Sequence, residues 1–205
     1  MRRYYFIVEF IPKRANLELL TGRCISVMHG FICKHSIQGL GISFPSWTET
    51  SIGASIAFIH PDAMTLAGLR EQAYFQDMKH IGFFKLSDIS EVPDTCKEVR
   101  FKRNQTIAKI FAGDSRRRLA RLKRRAEARG KHFTPPIRNQ AKELGPFHCV
   151  AVSSASTSQD FLLHIQKETV NQATSIEFNQ YGLSTNQKFT GTVPDLSPFK
   201  PNDTR

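Results

Sequence analysis

The sequence has only four cysteines in 205 residues, and Cys24, Cys33, Cys96 and Cys149 are scattered with no CxxC spacing. That scatter argues against a disulfide framework and against a zinc-binding ligand set. None of the seven histidines forms HExxH or pairs with another at ligand spacing on a helix face, so neither metal nor cofactor is expected. Long apolar runs are missing as well. No stretch approaches bilayer length, and Met1-Arg2-Arg3-Tyr4-Tyr5-Phe6-Ile7-Val8 lacks the apolar core and cleavage site of a signal peptide. A cytoplasmic protein with no membrane partner is expected. Acidic residues are scarce: 18 Asp and Glu face 29 Lys and Arg, for a net charge of +11. That balance fits a protein held to phosphates and favours nucleic acid over an acidic membrane surface.

What is present begins with a basic segment, Asp114 to Gly130, in which Glu127 is the sole acid after Asp114. Asp114 or Ser115 is the expected N-cap and Gly130 the expected stop. At helical spacing Arg117, Arg121, Arg124 and Arg125 share one face and Leu119, Leu122 and Ala126 the other, so the helix is expected to dock through its leucines. Solvated charged faces normally mix signs; this one repels itself unless a polyanion binds.

The 40% hydrophobic content supports a buried core in one larger or two smaller domains. Tyr4 to Ile11 reads as a strand and Asn16 to His29 as a helix closed by Gly30. Ile42–Phe44 and Ile56–Ile59 read as strands, Asp62 caps a helix to about Phe75, and Phe83–Leu86 ends the set. This order is that of a ferredoxin-like βαββαβ domain, residues 1–93, within an α+β protein. A smaller domain, residues 94–205, is expected to hold a strand at Val99–Arg103, the basic helix ended before Pro135-Pro136, and antiparallel strands at Cys149–Val152, Phe161–Ile165 and Glu177–Leu183. The tail after Leu196 is expected to be loose.

Read singly, the reactive side chains say little. His29 beside Gly30 suits a general base at an edge of the fold, and equally a dipole partner of a helix end. Ser154, Ser156 and Thr157 read as turn hydroxyls. Tyr181, beside Gly182, reads as a strand tyrosine of core or rim.

Their joint order is more specific. Met28-His29-Gly30-Phe31, Gly41-Ile42-Ser43-Phe44-Pro45, Arg103-Asn104-Gln105, Arg121-Leu122-Lys123-Arg124-Arg125, Ser153-Ser154-Ala155-Ser156-Thr157, Phe161 and Tyr181-Gly182-Leu183-Ser184 follow one another along the chain. In this the sequence resembles the CRISPR-RNA repeat-processing endoribonucleases of subtype I-F, up to about Leu196. The resemblance implies a metal-independent cut beside a repeat hairpin, with the ribose 2′-hydroxyl attacking its own phosphate to leave a 2′,3′-cyclic phosphate and a free 5′-hydroxyl. It implies His29 as general base, Ser154 holding the 2′-hydroxyl and Tyr181 orienting His29. It further implies Arg103 and Gln105 as readers of guanine and adenine, and Phe161 as a stacking platform on the closing pair. Arg117, Arg121, Arg124 and Arg125 would hold the stem phosphates, with Ser156 and Thr157 also at the RNA. The expected partners are the repeat hairpin, kept after cleavage, and the other subunits of a type I-F guide-RNA surveillance complex, in which this chain serves as a single copy. The chain departs from that family in a longer connection over 106–113. A non-catalytic hairpin-binding subunit of a ribonucleoprotein shares the charge and the helix but has no use for His29, Ser154 and Tyr181.

Overall fold

Phe6, Ile7, Val8 and Phe10 of the first strand, Tyr4–Phe10 (β1), are buried toward both faces, as a central strand requires. In this computed structural model, which describes residues 2–108, 112–130, 145–154 and 159–199, β1 pairs antiparallel with Ser55–His60 (β3) and Phe84–Leu86 (β4). Gly41–Ser43 (β2) extends the sheet beyond β3, giving the order β2-β3-β1-β4, and Ser90–Glu91 (β5) pairs with the start of β1. Phe6 and Phe58 on the sheet meet Phe75 with ring centroids 5.1 to 6.3 Å apart, all three fully buried. Burying each such ring contributes roughly 1.5–3 kcal/mol.

The first helix, Leu17–His35 (α1), starts where Asn16 Oδ1 accepts the Leu19 N–H at 2.9 Å. It does not stop at Gly30. Phe31 and Ile32 bury beyond it, which outweighs the roughly 1 kcal/mol cost of a helical glycine, and the end comes at Ser36 with φ of 53°. The helix expected from Asp62 to Phe75 is two, Ala63–Arg70 (α2) and Ala73–His80 (α3), broken at extended Gln72. Side chains satisfy the broken end: Gln72 Nε2 donates to the Gly68 carbonyl at 3.0 Å and Gln76 Nε2 to that of Arg70 at 2.8 Å.

A second antiparallel sheet has the order β7-β8-β6-β9, from Glu98–Arg103 (β6), His148–Ser154 (β7), Gln159–Val170 (β8) and Val193–Pro194 (β9). Between β6 and β7 lie Gln105–Ala108 (α4) and Ala112–Glu127 (α5). Glu177–Leu183 is not a strand. An Asn179-centred turn and Gly182 at φ 68° bend it away from any ladder, and the closing strand is β9 instead. After Leu196 the chain forms a 3-10 turn, Ser197–Phe199, anchored by the Ser197 N–H on Asp195 Oδ1.

Both sheets share one buried cluster: Val99, Phe101, Val150, Leu163 and Ile165 continue the core of Phe6, Ile25 and Ile42. Phe101 meets Phe44 at 4.9 Å and Trp47 at 5.5 Å. Arg3, just before β1, forms a two-pronged ion pair with Glu98 of β6, both side chains nearly buried. Removing one partner of such a pair costs about 3–5 kcal/mol. The molecule is a mixed α+β protein, and no helix among its described residues is long and apolar enough to cross a membrane.

Candidate functional site

His29 lies in the last third of α1, half-buried, two helical turns beyond Gly22. Gly22 sets how close α1 comes to β7: a Cβ there would lie 1.9 Å from the Ala151 carbonyl oxygen. The helix therefore rides directly on the strand that ends at Ser154.

The loop between β8 and β9 reaches His29 from the other side. Asn179 Oδ1 accepts the N–H groups of Tyr181 and Leu183, at 2.8 and 3.3 Å, in an Asx-type turn. Gly182 is required at its apex, because φ is 68° and a Cβ would press on Ile42 Cγ2 at 2.9 Å and Met28 Cε at 3.0 Å. The turn stacks the Tyr181 ring on the His29 imidazole, centroids 4.6 Å apart and planes 24° from parallel. It also sets the Gln180 carbonyl 3.1 Å from His29 Nδ1. A carbonyl only accepts, so Nδ1 carries the proton in that bond and the lone pair lies on Nε2. Cys33, one turn on and exposed, has Sγ 3.7 Å from Nδ1.

Arg103 and Phe161 complete the cluster. Phe161 faces Val152 across the β7–β8 ladder and meets Tyr181 edge-on at 5.5 Å. The Arg103 guanidinium, at the end of β6, lies 5.5 Å from both the Phe161 and Tyr181 ring centres. Burial lowers its pKa and Tyr181 opposes that shift, while no carboxylate among the described residues pairs with it. Its backbone N–H donates to the Ser184 carbonyl at 2.9 Å, tying β6 to the Tyr181 loop.

Gln105 begins α4 and is exposed; Asn104, whose Oδ1 accepts the Thr106 N–H, caps that turn. Thus part of the longer connection, 106–113, is helical. Ser154 is the last residue of β7, paired with Gln159 and two residues beyond Val152. Ser156 and Thr157 lie outside the described residues, as do Pro135 and Pro136.

The basic helix α5 starts at Ala112, so Asp114 and Ser115 lie inside its first turn rather than capping it; the helix ends at Glu127, and a turn carries the chain to Gly130 at φ 65°. Arg117, Arg121, Arg124 and Arg125 are exposed. The leucines are not docked: Leu119 and Leu122 keep 37% and 38% of their surface. With arginines on one side and half-open leucines on the other, the helix has too little apolar stripe to bury. Glu127 pairs with Lys123 at 3.8 Å. The structure thus brings His29, Tyr181, Phe161 and Arg103 together, and the contacts joining those four do not pass through α5.

Sequence reasoning passed over Asn179, the Gln180 carbonyl and Cys33. An asparagine two residues before Tyr-Gly signals an Asx turn, and Cys33 shares the i, i+4 face of His29. Among the described residues no three His, Cys, Asp or Glu side chains converge to hold a metal ion.

Residues 5–196 match the family model described as CRISPR-associated protein (Cas_Csy4). No curated protein matches the chain. The family match spans all four elements that build the His29 cluster: α1, β6, β8 and the Tyr181 loop. The chain belongs to the Cas_Csy4 family of CRISPR-associated proteins, the repeat-processing endoribonucleases of type I-F CRISPR systems.

Proposed function

We propose that this CRISPR-RNA-processing nuclease cuts at the base of the repeat hairpin without a metal, by attack of the ribose 2′-hydroxyl on the adjacent phosphorus. His29 Nε2 takes the hydroxyl proton as the O2′–P bond forms and the P–O5′ bond breaks. The products are a 2′,3′-cyclic phosphate and a 5′-hydroxyl, the latter gaining a proton from solvent or from the imidazolium. What carries this reading is the Nδ1 contact to the Gln180 carbonyl, which leaves the Nε2 lone pair as the basic site. Ser154 holds the 2′-hydroxyl in line, and Tyr181 fixes the imidazole plane by stacking.

Phe161 stacks on the closing base pair, and the Arg103 fork reads the guanine edge. Gln105 reads adenine beside it. Arg117, Arg121, Arg124 and Arg125 bind the stem phosphates, with Ser156 and Thr157 at the strand near the cut. The product hairpin stays bound at one end of a guide-RNA complex.

The test is cleavage in EDTA of a labelled repeat RNA and of the same RNA with a 2′-deoxy sugar at the cut. We expect the first to be cut and the second to survive. Cutting of the deoxy substrate defeats the mechanism, and a need for added divalent metal defeats its metal independence. Loss of cutting in His29→Ala with retained hairpin binding separates the nuclease from a passive hairpin binder.

A further inference from the structure

We infer that Asn179 is a positioning residue for this reaction, holding the Gln180 carbonyl on His29 Nδ1 and thereby deciding that Nε2 is the nitrogen that takes the ribose proton. The inference rests on His29 being the base.

The peptide unit between Gln180 and Tyr181 is one rigid plane whose C=O and N–H point in opposite directions. Its N–H end is held by Asn179 Oδ1 at 2.8 Å, and its C=O end meets His29 Nδ1 at 3.1 Å. Fixing the first end aims the second. The turn has little freedom otherwise: the Asn179 N–H donates to the Leu183 carbonyl and the Gly182 N–H to that of Asn179, each at 2.9 Å. The Gly182 carbonyl accepts the Ile42 N–H at 3.0 Å, and the apex leans on Met28, the residue before His29. Carbonyl and imidazole are thus keyed to the same turn of α1.

An imidazole lacking such an acceptor distributes its proton over both nitrogens, and a molecule protonated on Nε2 cannot accept there. Without the Asn179 side chain the Tyr181 N–H has no acceptor in the turn, and the peptide plane loses the one contact that holds its N–H end while the backbone bonds of the turn remain. Asp at 179 keeps an oxygen at the same place and keeps the aim.

The experiment compares wild type, Asn179→Ala, Asn179→Asp and His29→Ala, each as the full chain. Nitrogen chemical shifts of isotopically labelled histidine report the His29 tautomer, its signal being identified by its absence in His29→Ala. Single-turnover cleavage of repeat RNA gives the rate, and binding of the 2′-deoxy RNA gives affinity. We expect the proton on Nδ1 in wild type and Asn179→Asp, and shared between nitrogens in Asn179→Ala. Cleavage by Asn179→Ala falls on the order of tenfold to a hundredfold with unchanged affinity, and Asn179→Asp restores it. A wild-type His29 protonated on Nε2 overturns the inference even if Asn179→Ala does not fold. So does Asn179→Ala cutting at the wild-type rate beside an inactive His29→Ala. A His29→Ala that cuts normally instead removes the base assignment itself.

Discussion

Arg100 and Lys102 of β6 both reach Glu168, whereas Arg103, the next residue, has two aromatic rings and no acid among the described residues. A half-buried cation without a counter-charge loses hydration that cation–π contacts of about 0.5–2 kcal/mol only partly return. An anion or the acceptor edge of a base completes the balance. Lysine keeps the charge but neither the planar fork nor the stacking. Arg103→Lys should therefore reduce the preference for guanine at the closing pair by about 1–3 kcal/mol, measured as the ratio of Kd values for RNAs differing at that base. An unchanged ratio removes Arg103 as the reader. His29 and Tyr181 were legible in the sequence as members of an ordered set, but their geometry was not. Gly30 looks like a helix end only until the burial of Phe31 and Ile32 is known, and a main-chain acceptor such as the Gln180 carbonyl leaves no residue-type signal at all.

Among the elements, α5 was legible in its face of arginines and its glycine stop, and misread in its start and its docking. Periodicity locates an apolar stripe but not whether anything covers it, and Leu119 and Leu122 stay substantially exposed. A helix so placed draws little stability from tertiary packing, and on the proposed reading stem phosphates would supply counter-charge to Arg121, Arg124 and Arg125. Replacing Arg121, Arg124 and Arg125 with alanine should lower the slope of log Kd against log salt by roughly 2–3, at about 0.7–0.9 for each phosphate left unneutralised. A slope equal to that of wild type rules out α5 as the phosphate-binding element. The segment Glu177–Leu183 failed as a strand for a local reason: its aromatic residues favour a sheet, but Asn179 and Gly182 fold it into a turn first.

For the molecule as a whole, the order of the strands through β4 was readable from hydrophobic pattern, while the break between α2 and α3 and the joining of the two sheets were not. That joint depends on Gly22, whose missing side chain no periodicity explains. Gly22→Ala gains about 1 kcal/mol of helix propensity. Against this, its Cβ would meet the Ala151 carbonyl oxygen at 1.9 Å, a backbone atom that cannot swing aside. Separating α1 from β7 costs on the order of 1–3 kcal/mol, so the clash wins. Gly22→Ala should lower the denaturation midpoint and slow cleavage, because His29 and the end of β7 shift relative to one another. A variant with wild-type midpoint and rate would show that the joint tolerates the gap.

The contact between His29 and Gln180 spans 151 residues of sequence. During synthesis the imidazole leaves the ribosome long before its carbonyl partner exists, and the Arg103 side chain before its two rings. A nascent or truncated chain ending ahead of Asn179 thus carries the basic helix while His29 lacks its carbonyl partner. If the basic helix holds RNA and His29 is the base, as proposed, RNA met at that stage is gripped before the turn that aims the Gln180 carbonyl exists.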